Sequence, residues 1–305
     1  MRFLCLHGRG TNSDIFESQL AALFSRLSPE HSFDFIDAPY HCSAAPGISK
    51  IYDGPYLAWH SRYDPVHIAE IHEYIDSVIN EDGPYDGVIG FSQGAALAAS
   101  FLLCHEYTHD QALLDSRHAA AFKVAIFFNS VMLFSPSEDI GADITDTIKK
   151  QEEKHMGFLR GESNEQTLPE PQIRFKMPNW SSSSSTSLSS IASVSTISED
   201  EPSDEIKWAR KRSVAFESQS LLKEHSVYGF PTDNIPHQIA IPTLHVIGAK
   251  DEFSEHSQTL TMLCQREKAE IFLIKDGGHD IPRTKAALDE CARLFEMVVM
   301  MGSIR

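Results

Sequence analysis

The pentapeptide GFSQG at residues 90–94 constrains this chain more than any other feature of its sequence. An apolar run at 87–89 precedes it, and the Ala- and Leu-rich stretch 95–103, which predicts a helix, follows it. A serine between a strand and a helix needs small neighbours two positions away on each side, because the backbones close tightly at such a turn. The context therefore predicts a nucleophile elbow that carries Ser92, in preference to an ordinary glycine-rich turn.

A nucleophilic serine needs a base that accepts its proton. The chain has 15 histidines, and His279 is distinguished by its place in the sequence DGGHDIP, directly after the apolar run 269–274. A Gly-Gly turn at the end of a strand would let this imidazole reach over the edge of a sheet. We therefore predict that His279 is the general base; the alternative is a solvent-exposed histidine of a surface loop.

The acid that orients the histidine is expected at the end of the strand that comes before 269–274 in the chain. The apolar run 241–247 ends there, and Asp251 follows it in the sequence GAKD. A buried carboxylate at that point would accept a hydrogen bond from the imidazole Nδ1–H and stabilise the imidazolium. Glu252 is the adjacent rival, whereas the two aspartates that flank His279 lie too close to it along the chain to face it.

Strands and helices alternate along the chain, and the strands are continuous apolar runs, which is typical of a mostly parallel sheet with helices on both faces. The predicted strands are 2–7, 33–36, 86–91, 122–134, 241–248 and 269–274, and the predicted helices are about 15–27, 65–79, 95–103, 255–266 and 283–300. Ser92, Asp251 and His279 each follow a predicted strand, and their order along the chain is that of α/β-hydrolases. The predicted fold class is therefore α/β, with the α/β-hydrolase arrangement.

An oxyanion that forms on the substrate needs two backbone N–H donors. The amide of Gln93 should supply one, because it begins the helix whose positive end points at the nucleophile. The turn HGRG at residues 7–10 should supply the other through the amide of Arg9, with Gly10 as the less favoured alternative. His7 is expected to brace this turn rather than to take part in the chemistry.

The stretch 137–235 breaks the alternation of strands and helices. Of residues 181–198, 13 of 18 are Ser or Thr, and 199–205 adds five acidic residues and no basic one. Such a segment buries too little apolar surface to offset the conformational entropy lost on ordering it. We predict an insertion with lid-like flanks that form short helices and a disordered segment at about 160–207. The remaining residues, 1–136 and 236–305, are predicted to form a single domain.

The charge balance is strongly acidic, with 26 Lys and Arg against 43 Asp and Glu and a net charge of −17. Such a surface repels phosphate backbones and anionic lipid, which argues against nucleic acid and membranes as partners. The five cysteines form no CxxC pair, which favours free thiols in a reducing compartment. No apolar stretch is long enough to predict a membrane span, and no metal-ligand spacing occurs. We expect a cytoplasmic protein that needs no metal and no organic cofactor.

Four segments resemble those of a known family. They are LCLHGRGTNSDIFESQ near the start, GPYLAW in the long loop before the nucleophile, GFSQGAALAA around it and GGHDIP near the end. Together they are similar to the fungal serine hydrolase (FSH-type) family, whose members are small esterase-like α/β-hydrolases related to ovarian-cancer-associated protein 2. The resemblance covers both parts of the predicted domain. It implies Ser92, Asp251 and His279 as the catalytic triad.

The resemblance also bears on the substrate. Some fungal relatives act beside polyketide synthases, where they release or trim acyl chains as thioesterases. This implies a small-molecule acyl ester or thioester as substrate, an acyl-carrier domain as a candidate partner, and a place in secondary metabolism. The Ser-rich insertion departs from the family, so the acyl chain itself is not implied. Hydrolysis through an acyl-enzyme is the leading hypothesis, and an acyltransferase or a non-catalytic binding protein of the same fold are the alternatives.

Overall fold

A six-stranded parallel sheet forms the centre of the structure, a computed structural model that describes residues 1–111, 121–150, 226–230, 232 and 237–304. Its strands are β1 (Arg2–Leu6), β2 (Ser32–Ile36), β5 (Gly87–Phe91), β6 (Val124–Phe128), β10 (Thr243–Gly248) and β11 (Ala269–Ile274). The short strands are β3 (Tyr40–His41), β4 (Leu57–Ala58), β7 (Phe134–Ser135), β8 (Ala142–Asp143) and β9 (Tyr228–Gly229). Across the sheet the order is β11–β10–β6–β5–β1–β2, so β5 and β6 are central and β11 is an edge strand.

Within the described residues, five α-helices cover the two faces of this sheet. They are α1 (Ser13–Phe24), α2 (Pro65–Asp82), α3 (Gln93–Gln111), α4 (Ser254–Met262) and α5 (Lys285–Ser303). Helices α1 and α5 pack against one face around Phe3 and Phe295. Helices α2, α3 and α4 pack against the other face around Leu4, Leu102 and Leu260. Every residue of β5, β6 and β10 is buried, so the prediction of a parallel sheet covered on both faces is confirmed.

Capping residues explain where several helices begin. Asn12 Oδ1 accepts a hydrogen bond from Ile15 N at 2.8 Å, which starts α1 two residues before the predicted position. Asp64 caps α2 in the same way, and Pro65 fills the first helical position, where no N–H is needed. The predicted start of this helix at Pro65 is therefore confirmed.

The predicted strand 122–134 is wrong over most of its length. Strand β6 ends at Phe128, because Asn129 has a φ of 44° and turns the chain out of the sheet. Strand β7 begins a separate antiparallel sheet in the order β7–β9–β8. The predicted helical flanks of the insertion therefore contain strands β8 and β9, although residues 145–150 are helical as expected.

The segment predicted to be disordered, about 160–207, lies outside the described residues. One compact unit comprises Met1–Ile148 together with His225–Arg305, and the residues considered below belong to it. Among the residues that the structure describes, no helix is both long enough and apolar enough to cross a membrane. All five cysteines are free thiols.

Candidate active site

Ser92 lies on the turn between β5 and α3, as the sequence predicts. Its φ is 55°, a left-handed value that costs a serine roughly 1–3 kcal/mol and that the surrounding structure must impose. The glycines on either side make this turn possible. A Cβ at Gly94 would lie 2.1 Å from Leu6 O, and a Cβ at Gly90 would lie 2.5 Å from the Cα of Ala95.

Three side chains form a continuous hydrogen-bonded line at the carboxyl ends of the strands. His279 Nε2 lies 2.8 Å from Ser92 Oγ, and His279 Nδ1 lies 2.8 Å from Asp251 Oδ2. In the neutral tautomer that fits these contacts, Nδ1–H donates to the carboxylate and Nε2 accepts from the hydroxyl. The rings of Phe91 and Phe253 contact the imidazole at centroid distances of 5.2 and 5.1 Å, and they help to fix its orientation.

Asp251 is positioned to contact His279, whereas the neighbouring carboxylates are not. Its side chain is fully buried, and its second oxygen, Oδ1, accepts from Phe253 N at 2.8 Å. The neighbouring Glu252 is exposed to solvent. The flanking aspartates form exposed ion pairs: Asp276 pairs with Lys250 and Asp280 pairs with Arg283. The structure thus brings Asp251 to His279, and the neighbouring carboxylates point elsewhere.

Two backbone N–H groups near Ser92 make no hydrogen bond within the part of the chain that the structure describes. A Cβ at Gly8 would lie 3.3 Å from the Cβ of Ser92, so the turn at residues 8–10 lies beside the nucleophile. Gly10 N already donates to Leu57 O at 2.8 Å, which occupies the alternative donor. Within the described part of the chain, the amides of Arg9 and Gln93 donate to no group. These two N–H groups therefore remain free for an oxyanion.

The side chain of Gln93 ties the start of α3 to the loop that carries the aromatic segment. Its Oε1 accepts from Trp59 N and its Nε2 donates to His60 O, each at 2.9 Å. The indole of Trp59 is fully buried and donates from Nε1 to His7 O at 2.7 Å. The aromatic segment thus supports the turn at residues 8–10 through the bond from Trp59 to His7 O.

His7 has both ring nitrogens engaged with the backbone. Nε2 accepts from Ala38 N at 3.0 Å, which places the ring proton on Nδ1, and Nδ1–H donates to Gly8 O at 2.8 Å. Burial lowers the pKa of this imidazole and favours the neutral form that makes both bonds. These contacts match the bracing role that the sequence predicts for His7.

One residue at the site was not predicted from the sequence. Asn129, which follows β6, is 1% exposed and bonds the backbone three residues before Asp251 and one residue after His279. An asparagine after an apolar run has no distinguishing spacing, so only the strand order of the sheet reveals this position. Among the described residues, no group of three His, Cys, Asp or Glu side chains is arranged to hold a metal ion.

Comparisons with known proteins find similar sequences and a similar solved structure. The model of the family described as serine hydrolase (FSH1) matches residues 1–291. Esterase alnB of Emericella nidulans is 30% identical over 93% of this chain and 91% of its own length. Hydrolase FUB4 of Fusarium oxysporum f. sp. lycopersici is 26% identical over 99% of this chain and 100% of its own length. The solved structure of monoacylglycerol lipase from Paleococcus ferrophilus has 16% identity and a TM-score of 0.47, over 99% of this chain and 94% of that one.

Proposed function

Because this chain belongs to the serine hydrolase (FSH1) family and is a serine esterase, we propose that Ser92, His279 and Asp251 are its catalytic triad. In this proposal the enzyme cleaves a carboxylic ester or thioester through an acyl-enzyme. The observation that carries this proposal is the pair of 2.8 Å contacts that link the serine hydroxyl, the imidazole and the carboxylate. They join residues 187 and 28 positions apart in the chain. Such an alignment lets the imidazole act as base and then as acid.

The first half of the reaction forms the acyl-enzyme. Ser92 Oγ attacks the substrate carbonyl carbon while His279 Nε2 accepts the hydroxyl proton. The carbonyl π electrons move onto oxygen, and the amides of Arg9 and Gln93 stabilise that oxyanion. When the tetrahedral intermediate collapses, the bond to the leaving alkoxide or thiolate breaks, and His279 Nε2–H protonates it. Asp251 stabilises the imidazolium that forms between the two proton transfers.

The second half releases the acid. A water molecule takes the place of the alcohol or thiol, and His279 Nε2 accepts one of its protons as it attacks the ester carbon of acyl-Ser92. The same two amides bind the second oxyanion. Collapse breaks the bond to Ser92 Oγ, which recovers its proton from His279. The carboxylic acid leaves, and the enzyme returns to its starting state with no cofactor consumed.

The finer substrate proposal is an acyl ester or thioester of a polyketide or fatty acyl chain. Two relatives are named esterase alnB and hydrolase FUB4, and these names agree with the reaction class. An acyl-carrier domain as the donor of the acyl chain, a place in secondary metabolism, the cytoplasmic location and the single domain at 1–136 and 236–305 stay predictions from the sequence.

An activity panel tests the proposed function. Purified protein would be assayed with p-nitrophenyl esters of increasing chain length and with matched acyl thioesters, with and without a competing alcohol. We expect turnover that yields the free carboxylic acid, and we expect a fluorophosphonate probe to abolish it. A product that is mainly the new ester would instead indicate an acyltransferase. A protein inert to every ester and to the probe would contradict the proposal.

A further inference from the structure

The end of β6 contacts the three turns that carry the residues of the proposed triad. Phe128 O accepts a hydrogen bond from Ser92 N at 2.9 Å. The next residue, Asn129, contacts the two turns that carry the acid and the base. Resting on the proposed function, we infer that Asn129 is a positioning residue, which holds Asp251 and His279 in register with each other and with the nucleophile.

The residue Asn129 is 1% exposed, and its side chain makes specific contacts with the backbone of both turns. Its Oδ1 accepts from Gly248 N at 2.8 Å, three residues before Asp251. Its Nδ2 donates to Asp280 O at 2.7 Å, one residue after His279, and lies 3.4 Å from Gly278 O on the other side of it. One side-chain amide therefore joins the end of β10 to the loop after β11.

The chemistry of these partners requires an asparagine. Gly248 offers an N–H and Asp280 offers a carbonyl, so the bridging side chain must accept at one atom and donate at another. Asparagine does both on a short side chain, whereas aspartate offers no donor when ionised. Asn129 also has a φ of 44°, a left-handed conformation that asparagine tolerates better than most residues. Its identity therefore fits both the bonds and the backbone.

The two turns depend on each other, which makes their common anchor important. A Cβ at Gly248 would lie 2.3 Å from Gly278 O, so the backbones of the two turns are in direct contact. Lys250 N donates to Gly277 O at 2.8 Å and adds a second link. Neither turn has regular secondary structure between its strand and its triad residue, so these contacts hold the two turns in place. A shift of one turn would therefore move the other.

This role predicts a particular kinetic effect. Asn129 is linked to the triad only through the backbone beside it, so its loss should change how the imidazole meets Ser92 and leave the substrate contacts intact. A displacement of about 1 Å in catalytic geometry costs up to about 10²-fold in rate. We therefore expect kcat to fall by about 10- to 100-fold while KM changes little.

Two variants separate the contacts. Asn129→Gly removes both and tolerates the positive φ, whereas Asn129→Asp keeps the acceptor for Gly248 N–H and loses the donor to Asp280 O. Ser130→Ala is the matched control, because it removes the hydroxyl of the adjacent buried residue. Among the residues that the structure describes, that hydroxyl bonds only Val131 O. Each protein would be measured for kcat, KM, melting temperature and the downfield proton resonance of the His279 Nδ1–H.

We expect lower kcat and a shifted or lost Nδ1–H resonance in both Asn129 variants, and wild-type values in Ser130→Ala. Variants with wild-type kcat and an unchanged resonance would overturn the proposal, whatever their melting temperature. Failure of both variants to fold would also overturn it, because Asn129 would then serve the whole fold. A wild-type protein that shows the resonance but hydrolyses no ester would instead count against the proposed function.

Discussion

The nucleophile and the acid–base pair are held in the molecule by different means. Ser92 lies between a central strand and the helix that follows it, and its conformation is dictated by glycines two positions away on each side. Asp251 and His279 lie on turns that leave β10 and the edge strand β11. Those turns are held by backbone contacts with each other and by the side chain of Asn129.

This difference separates local from long-range control of the site. The position of Ser92 follows from a few adjacent residues packed inside the sheet, so changes elsewhere should leave it in place. The acid–base pair needs segments that are distant in sequence to meet at the edge of the sheet. We therefore expect small substitutions to disturb the orientation of the histidine more readily than the placement of the nucleophile.

The largest effect should come from Ser92→Ala. The variant keeps a Cβ at the same backbone position, so it should fold and melt like the wild type. Removal of the nucleophile in a well-studied serine protease costs about 10⁶ in kcat, and a loss of that order is expected here. Ser130→Ala, which removes a nearby buried hydroxyl, should retain full activity. Equal loss in both variants would contradict the assignment of the nucleophile.

The next largest effect tests the acid–base pair. Asp251→Asn should fold but lose about 10⁴-fold in kcat, because the amide favours the wrong imidazole tautomer and cannot stabilise the imidazolium. Glu252→Gln changes an exposed neighbour and should leave kcat near the wild-type value. If Glu252→Gln were the inactive variant, the acid of the triad would be wrongly assigned.

A third, intermediate effect tests the oxyanion turn. Gly10 has a φ of 78°, and a Cβ there would lie 2.3 Å from Ala45 N, so Gly10→Ala should displace the turn. Loss of one oxyanion donor costs about 10²–10³ in kcat. Arg9→Ala keeps the backbone N–H and should be nearly neutral. A large loss of kcat in Arg9→Ala would show that its guanidinium, rather than its amide, matters.

The smallest effect concerns stability and pH. His245 is buried in β10, the strand that leads to the acid turn, and burial lowers its pKa to about 3. The unfolded chain binds a proton near the ordinary value, so this neutral histidine contributes stability above about pH 6.5 that is lost as pH falls towards its folded pKa. At about pH 5.5 the loss should be about 1.4 kcal/mol.

Thermal unfolding from pH 7 to pH 5 would measure this effect. The wild-type melting temperature should fall with pH, and the slope should be shallower in His245→Gln, because the glutamine side chain that replaces His245 does not titrate in that range. An equal slope in the two proteins would show that protonation of His245 does not limit stability.

The same division explains what the sequence could predict. Ser92 and its turn were predictable because every residue that shapes them lies within a few positions in the chain. The alternation of strands and helices likewise predicted the parallel sheet. Asp251 and His279 were reached through the order of motifs. The structure places them 2.8 Å apart, with His279 2.8 Å from Ser92, and their catalytic roles stay a prediction.

What could not be predicted depends on packing between distant segments. Asn129 was predicted to be part of a strand, because the apolar runs 124–128 and 131–134 on either side of Asn129 and Ser130 hid the turn. The strands β7, β8 and β9 are only two residues long, too short to show a periodic pattern. The sequence favoured the amide of Arg9 over that of Gly10, and the bond from Gly10 N to Leu57 O supplies a structural reason for that choice.

The acyl-enzyme itself offers the most direct test of this account. The wild-type protein would be mixed with p-nitrophenyl acetate, quenched in acid within the first turnover and digested for peptide mass spectrometry. We predict a burst of p-nitrophenol and an acetyl group on the peptide that contains Ser92, with neither in Ser92→Ala. Turnover without any acylated peptide, or acetyl on another residue whose replacement abolishes activity, would contradict it.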